Sequence, residues 1–181
     1  MQIDELDLHI RKSIQGMFGD ADMRTMKDEI EKLEPGDVYL EIGVDEGRSM
    51  AVAHHYAKPG VFIFGVDIAD IQPHPPHTIG RGDFAIQEGI CGYQQHGFFI
   101  HGDADILAQV WKTPIDLIFI DGGHAYEEVK KNTLMWEPFM KKGSTMLFHD
   151  IDYTLPGVKG FLDDHFNKWE NLHGKIGKVQ K

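Results

Sequence analysis

Cysteine is nearly missing from this chain: Cys91 stands alone among 181 residues, so no intrachain disulfide can form and a disulfide-stapled secreted framework is excluded. Long apolar runs are missing as well. Val61 to Val66 stops after about six residues, far short of the ~20 that cross a bilayer, so no membrane partner is expected. The opening residues, Met1-Gln2-Ile3-Asp4-Glu5-Leu6-Asp7, carry acids where a signal peptide needs a basic start and an apolar core, and a cytoplasmic location is the expectation. Positive charge is scarce too. With 18 basic and 29 acidic side chains the net charge is -11, which repels phosphate backbones and argues against a nucleic-acid partner. A small-molecule substrate or a positively charged cofactor suits such a surface better.

What is present is ordinary for a globular chain: 41% hydrophobic and 26% charged residues, in a length that supports one domain with a proper core. Ile3, Leu6, Ile10 and Ile14 recur at helical spacing, Met23, Met26, Ile30 and Leu33 repeat the pattern, and Pro35-Gly36 breaks it. Strands are expected at Asp37–Ile42, Val61–Val66, Phe98–Ile100, Ile115–Ile120 and Ser144–Phe148. Helices are expected at Gly47–Tyr56, Asp105–Trp111, Tyr126–Met140 and Pro156–Trp169, with Lys142-Gly143 as a turn. Between Ile68 and Gly97 the pattern loosens: Pro73, Pro75 and Pro76 forbid regular structure, and a modest helix around Asp83 to Cys91 follows. The tail from Leu172 to Lys181 has room for one strand at most.

Strands that are continuous apolar runs, alternating with helices, indicate an α/β fold: a Rossmann-like three-layer αβα sandwich with a mainly parallel sheet, two extra N-terminal helices and a short C-terminal end. One domain, 1–181, is expected, with N-terminal helices in 1–34, the core in 37–150, and the last helix and edge strand in 151–181. The short tail leaves the sheet either one strand short or completed by another subunit. Ligands of such sheets bind beyond the carboxyl ends of the strands. Those positions are Gly43, Asp67, Asp103, Asp121 and His149-Asp150, so four of the five bring a carboxylate to one rim.

The first motif is Glu41-Ile42-Gly43-Val44-Asp45-Glu46-Gly47-Arg48-Ser49. Glycines after a strand let the backbone turn tightly and approach a ligand, and the helix that follows offers free N–H groups to a carboxylate. Asp67, at the end of the next strand, is placed to take ribose hydroxyls. The dinucleotide fingerprint is not met, because Asp45 and Arg48 stand where its second and third glycines belong. Glu41-x-Gly43 instead resembles motif I of class I S-adenosylmethionine (SAM)-dependent methyltransferases, and Gly102-Asp103-Ala104 resembles that family's next element. The resemblance runs from about Val38 to Asp150. It implies SAM as cofactor, held by Glu41, Gly43, Val44, Gly47, Ser49, Asp67, Ile68, Asp103, Ala104 and Asp121.

Asp116-Leu117-Ile118-Phe119-Ile120-Asp121-Gly122-Gly123-His124, with Leu147-Phe148-His149-Asp150 later, looks like the small methyltransferases related to macrolide-sugar and catechol-type O-methyltransferases. That likeness implies O-methylation of a small hydroxylated substrate, His124 as base beside Asp121, and a divalent-metal option at Asp121, His149 and Asp150. Histidine at 149 departs from the acid or amide expected there, and imidazole is a poor ligand for Mg²⁺, so another metal or none stays open. Blander alternatives are His124 as a helix cap and His149-Asp150 as a pair closing the strand. A catalytically inactive nucleoside-binding module, an NAD-dependent oxidoreductase domain and a hydroxylase relative are the rival functions. His54-His55 is read as helix surface, His74 and His77 as a loop, and Trp111, Trp136 and Trp169 as packing residues. The N-terminal helices cap the cofactor or form a homodimer surface.

Overall fold

The computed structural model describes residue 14 and residues 16–45, 47–68, 96–152 and 157–181. The expected first helix, the helix around Asp83 to Cys91, and the His74/His77 loop lie outside the described residues.

Among the described residues, seven strands form one sheet in the order β3-β2-β1-β4-β5-β7-β6. They are β1 (Val38–Ile42), β2 (Phe62–Asp67), β3 (His96–His101), β4 (Ile115–Ile120), β5 (Met140–Phe148), β6 (Glu170–Asn171) and β7 (Gly177–Gln180). The first five pair in parallel, and β7 runs antiparallel to both β5 and β6. Among the described residues, five helices cover the faces: α1 (Asp20–Ile30), α2 (Arg48–Tyr56), α3 (Ala104–Val110), α4 (Tyr126–Trp136) and α5 (Gly157–His165).

Period-two alternation decides which residue meets which layer. Val38, Leu40 and Ile42 of β1 join the core under α3, α4 and α5, with Ala108, Val129, Trp136, Phe161 and Leu162. Tyr39 points to the opposite core, where Met23, Met26 and Ile30 of α1 and Met50 of α2 pack with Ile63, Phe119 and Leu147. Every residue of β1 is buried, as a strand covered on both faces requires. Connections leave β1 toward β2 on one side while β4 lies on the other, so the order reverses at β1 and opens a crevice there.

Three expectations are corrected. Lys142-Gly143 is not a turn before the strand: β5 already begins at Met140, and the pairing shifts register opposite Ile115–Leu117. Gly143, at φ +85°, absorbs that irregularity. The helix expected to reach Met140 stops at Trp136, because Pro138 allows only a 3₁₀ turn over Glu137–Phe139. The last helix, expected to run to Trp169, ends at His165, and that frees Glu170–Asn171 for β6; the tail from Leu172 holds the single strand expected of it, β7, and the two form a hairpin turned at Gly174, φ +80°. The far edge of the sheet is therefore built by this chain itself. Trp169 lies beyond the helix, its indole N–H donating to Asp163 at 3.0 Å. No helix among the described residues is long and apolar enough to cross a membrane.

Candidate active site

β1 delivers Gly43 to the crevice at φ +85°, and the reason for glycine is contact with β4. An added Cβ would stand 2.6 Å from the Asp121 carbonyl carbon. Asp45 follows at φ +49°, doing with a side chain what the dinucleotide fingerprint does with glycine. Asp67, at the end of β2, accepts hydrogen bonds from the backbone N–H groups of Val44 (2.6 Å) and Asp45 (2.9 Å), so it fixes the loop after β1. Asp103 caps α3 by accepting from the Asp105 N–H at 2.7 Å.

Two cavities open on this rim. The larger, about 640 Å³, runs over the ends of β1, β2, β3 and β4, and its lining includes Gly43, Asp67, Ile68, Asp103, Ala104 and Asp121. The smaller, about 190 Å³, is bounded by Phe18, Val44, Arg48, Ser49, His149 and Asp150 among others. Asp45, Asp121 and His124 line both, so the two meet at the end of β4. Of the expected cofactor residues, Glu41 and Gly47 line neither. Gly47 caps α2 at φ +85°, and Glu41 is fully buried beneath Ser49.

Glu41 accepts from Tyr39 Oη and Ser49 Oγ, each at 2.5 Å. Burial raises its pKa and the two hydroxyls lower it, with the carboxylates of Asp121 and Asp67 raising it again; the result is about 8. At neutral pH it is an uncharged carboxylic acid under the loop. The N-terminus of α2, which begins just after Gly47, carries a partial positive charge.

At the centre lies a ring of charged groups. His149 is 4% exposed, with Nδ1 at 2.9 Å from Asp121 Oδ1 and Nε2 at 3.6 Å from Asp22 Oδ2. Burial alone would push its pKa down. The hydrogen bond to Asp121, the ion pair with Asp22 and the charges of Asp121 and Asp150 outweigh that and raise it to about 10, so the ring is an imidazolium. Burial in turn raises the carboxyl of Asp121, against the lowering effect of His149. Asp22 Oδ1 accepts from the Lys175 N–H at 2.8 Å, and Lys175 Nζ reaches Asp150 Oδ1 at 3.4 Å. His124 closes the circuit: its Nε2 is 3.0 Å from Asp150 Oδ2 and 3.9 Å from Asp121 Oδ1. Asp150 holds its place at φ +54°, a strained conformation for a non-glycine residue.

The ligand atoms that could share a cation are therefore those of Asp121, His124 and Asp150, all within 4.8 Å of one another. His149, which the resemblance places on the metal, is not in that group: its Nδ1 bonds Asp121 at 2.9 Å and its Nε2 faces Asp22 at 3.6 Å. Two carboxylates and one imidazole suit a borderline divalent ion such as Mn²⁺ or Zn²⁺ better than Mg²⁺.

Other expectations resolve by burial. His54 is not helix surface: it is 5% exposed, its ring fills the space left by Gly97, and burial lowers its pKa to about 4. Trp111 and Trp136 pack edge to face in the core. Asp22, Lys175 and Arg48 were not foreseen as site residues. Asp22 and Lys175 arrive from opposite ends of the chain with no local motif, whereas Arg48 lies within the motif after β1, where the dinucleotide pattern has its third glycine.

A parallel sheet reversing at β1, a nucleoside-sized crevice over its carboxyl edge, and acids after β2, β3 and β4 define a class I SAM-dependent methyltransferase. The chain belongs to the methyltransferase-domain family, whose match spans residues 40–151, more than half its length. Solved structures agree at the level of the fold. CalS11, the calicheamicin methyltransferase, is 19% identical with a TM-score of 0.62 over 87% of this chain and 76% of that one. The O-methyltransferase NovP is 14% identical with a TM-score of 0.68 over 92% and 81%. An O-methyltransferase from Bacillus cereus, in complex with SAH, is 12% identical with a TM-score of 0.68 over 100% and 93%.

Proposed function

We propose that this chain transfers the methyl group of SAM to a hydroxyl of a small molecule, with His124 as general base. The observation that carries the reading is the His124–Asp150 contact of 3.0 Å, placed where the two cavities meet. When bound, SAM supplies an electrophilic methyl on a sulfonium.

The larger cavity takes the nucleoside, with Asp67 beside the ribose and Gly102-Asp103-Ala104 along the base. The smaller takes the amino-acid end, its carboxylate toward the N-terminus of α2 and its ammonium toward the acidic rim. Carboxylates at Asp45, Asp67, Asp103 and Asp121 favour a positive centre over an anion. The Asp150 carboxylate, 3.0 Å from Nε2, favours the imidazole proton on that nitrogen by its charge and leaves the Nδ1 lone pair to take the hydroxyl proton as the acceptor oxygen aligns in line with the methyl. The acidic rim also argues for a small, non-nucleic-acid acceptor.

A second reading is favoured by the 4.8 Å grouping of Asp121, His124 and Asp150, in which a divalent cation lowers the acceptor's pKa. The two readings exclude each other at His124, because a neutral imidazole that ligates through Nε2 carries its proton on Nδ1.

Calorimetric titration with SAH and NAD, followed by methyl transfer from labelled SAM to a panel of small phenols, tests the proposal. SAH binds and NAD does not; His124→Ala retains SAH binding but loses about 10²–10⁴-fold in rate, with no response to chelator. Binding of NAD without SAH overturns the methyltransferase reading. Loss of activity in chelator, restored by Mn²⁺, replaces the base with the metal.

A further inference from the structure

Arg48 is the first residue of α2, directly after Gly47 and at the mouth of the smaller cavity. Nε and Nη2 donate to the Ile14 carbonyl at 2.9 and 2.5 Å, and Nη1 donates to the carbonyls of Gly16 at 2.7 Å and Phe18 at 2.9 Å. One side chain thus gathers three carbonyls of a segment 30 to 34 positions away in the sequence.

That segment is a wall of the cavity. Gly16, Met17 and Phe18 line it opposite Val44, Ser49 and Asp121. Phe18 is 5% exposed and anchors one end, its ring against Phe119 (centroids 5.8 Å apart) and His149 (5.4 Å). Met17, 73% exposed, sits between the two anchored carbonyls. Gly16, at φ +145°, allows the bend that brings both carbonyls to one guanidinium. Arg48 therefore anchors the backbone of this strap over the cavity, alongside the packed ring of Phe18.

We propose that Arg48 is a positioning residue for the donor: it clasps the strap of Ile14 and residues 16–18 over the smaller cavity and so closes the pocket around the amino-acid end of SAM. The inference rests on the donor reading proposed above. A planar fork with five N–H donors serves three carbonyls at once; a lysine ammonium, a point charge on a flexible stem, does not reproduce that geometry. The nucleoside end lies in the larger cavity, whose lining contains none of the strap residues. The clasp therefore acts on one half of the ligand.

The two halves can be read separately. Titration calorimetry of the wild type, Arg48→Lys and Arg48→Ala is carried out with SAH and with adenosine, which lacks the amino-acid end. SAH affinity falls by about tenfold or more in both variants, the size of effect expected when one charge-assisted interaction is lost. Adenosine affinity changes by less than about twofold by the same arithmetic. Hydrogen exchange of the amides of residues 16–18 accelerates in parallel. Arg48→Lys keeps the charge and serves as the informative variant if Arg48→Ala does not fold. Unchanged SAH affinity, or an equal loss for SAH and adenosine, overturns the clasp. A wild type that binds neither ligand removes the donor reading, and the inference falls with it; binding of adenosine and SAH by the wild type with no discrimination among variants removes the clasp alone.

Discussion

Replacing His149 with phenylalanine isolates the charge at the centre of the ring. The aromatic shape is kept, and the new ring meets the same neighbours, Phe18 and Phe119, so little packing is lost. What disappears is the cation between Asp121 and Asp22. A pKa raised from 6.5 to about 10 corresponds to on the order of 5 kcal/mol. Breaking a buried pair by removing one partner costs about 3–5 kcal/mol, which agrees. The sign follows from the folded pKa lying above the unfolded one. The stabilisation is full below about pH 6.5 and is lost as pH rises through about 10. Urea denaturation of both proteins at pH 6, 8 and 10.5 reads the difference directly. The gap is widest at pH 6 and shrinks by several kcal/mol at pH 10.5, while titrations of remote groups cancel between the two proteins. A gap that stays constant over that range means His149 is neutral in the fold, and the charge ring as described is wrong.

Glu41→Gln tests the acid beneath the loop. Its folded pKa of about 8 lies above the ordinary glutamate value of 4.5, so wild-type stability from this group is full below pH 4.5 and declines as pH rises through 8. The variant, which keeps an acceptor and a donor for Ser49 and Tyr39, gains on the wild type across that window by up to about 5 kcal/mol, measured by denaturation at pH 5 and pH 9; a pH-independent difference refutes the buried neutral acid. Gly97→Ala tests the packing of the β3 edge. A Cβ there collides with the buried His54 ring, so thermal unfolding shows a loss of about 1–3 kcal/mol, the cost of overpacking, and an unchanged melting temperature shows that the ring has room to move.

Much of the crevice was legible in the chain because it depends on local rules. β4 occupies the expected Ile115–Ile120, and the acids that follow β2, β3 and β4 stand on one rim because every parallel strand ends at the same edge. The elements that were misread are those where a local signal competes with pairing. Lys142-Gly143 has turn chemistry, yet backbone bonds hold it in β5: the Gly143 N–H donates to the Lys181 carbonyl at 2.8 Å. β6 is two exposed residues with no hydrophobic pattern to betray it, and it exists through its pairing with β7.

The sequence by itself determined the alternation of strands and helices, the glycine turn after β1, and the carboxylates at the strand ends, since those follow from hydrophobic periodicity and backbone sterics within a few residues. The tertiary structure decided what each polar group does there. His149 and His124 both lie near Asp121 and Asp150, and composition cannot tell which is buried as a cation and which is left partly exposed. That assignment depends on Asp22 from α1 and Lys175 from the C-terminal hairpin, brought within 2.8 Å of each other from 153 positions apart. Solvation and charge partners set a side chain's protonation, and both are properties of the packed molecule rather than of the chain.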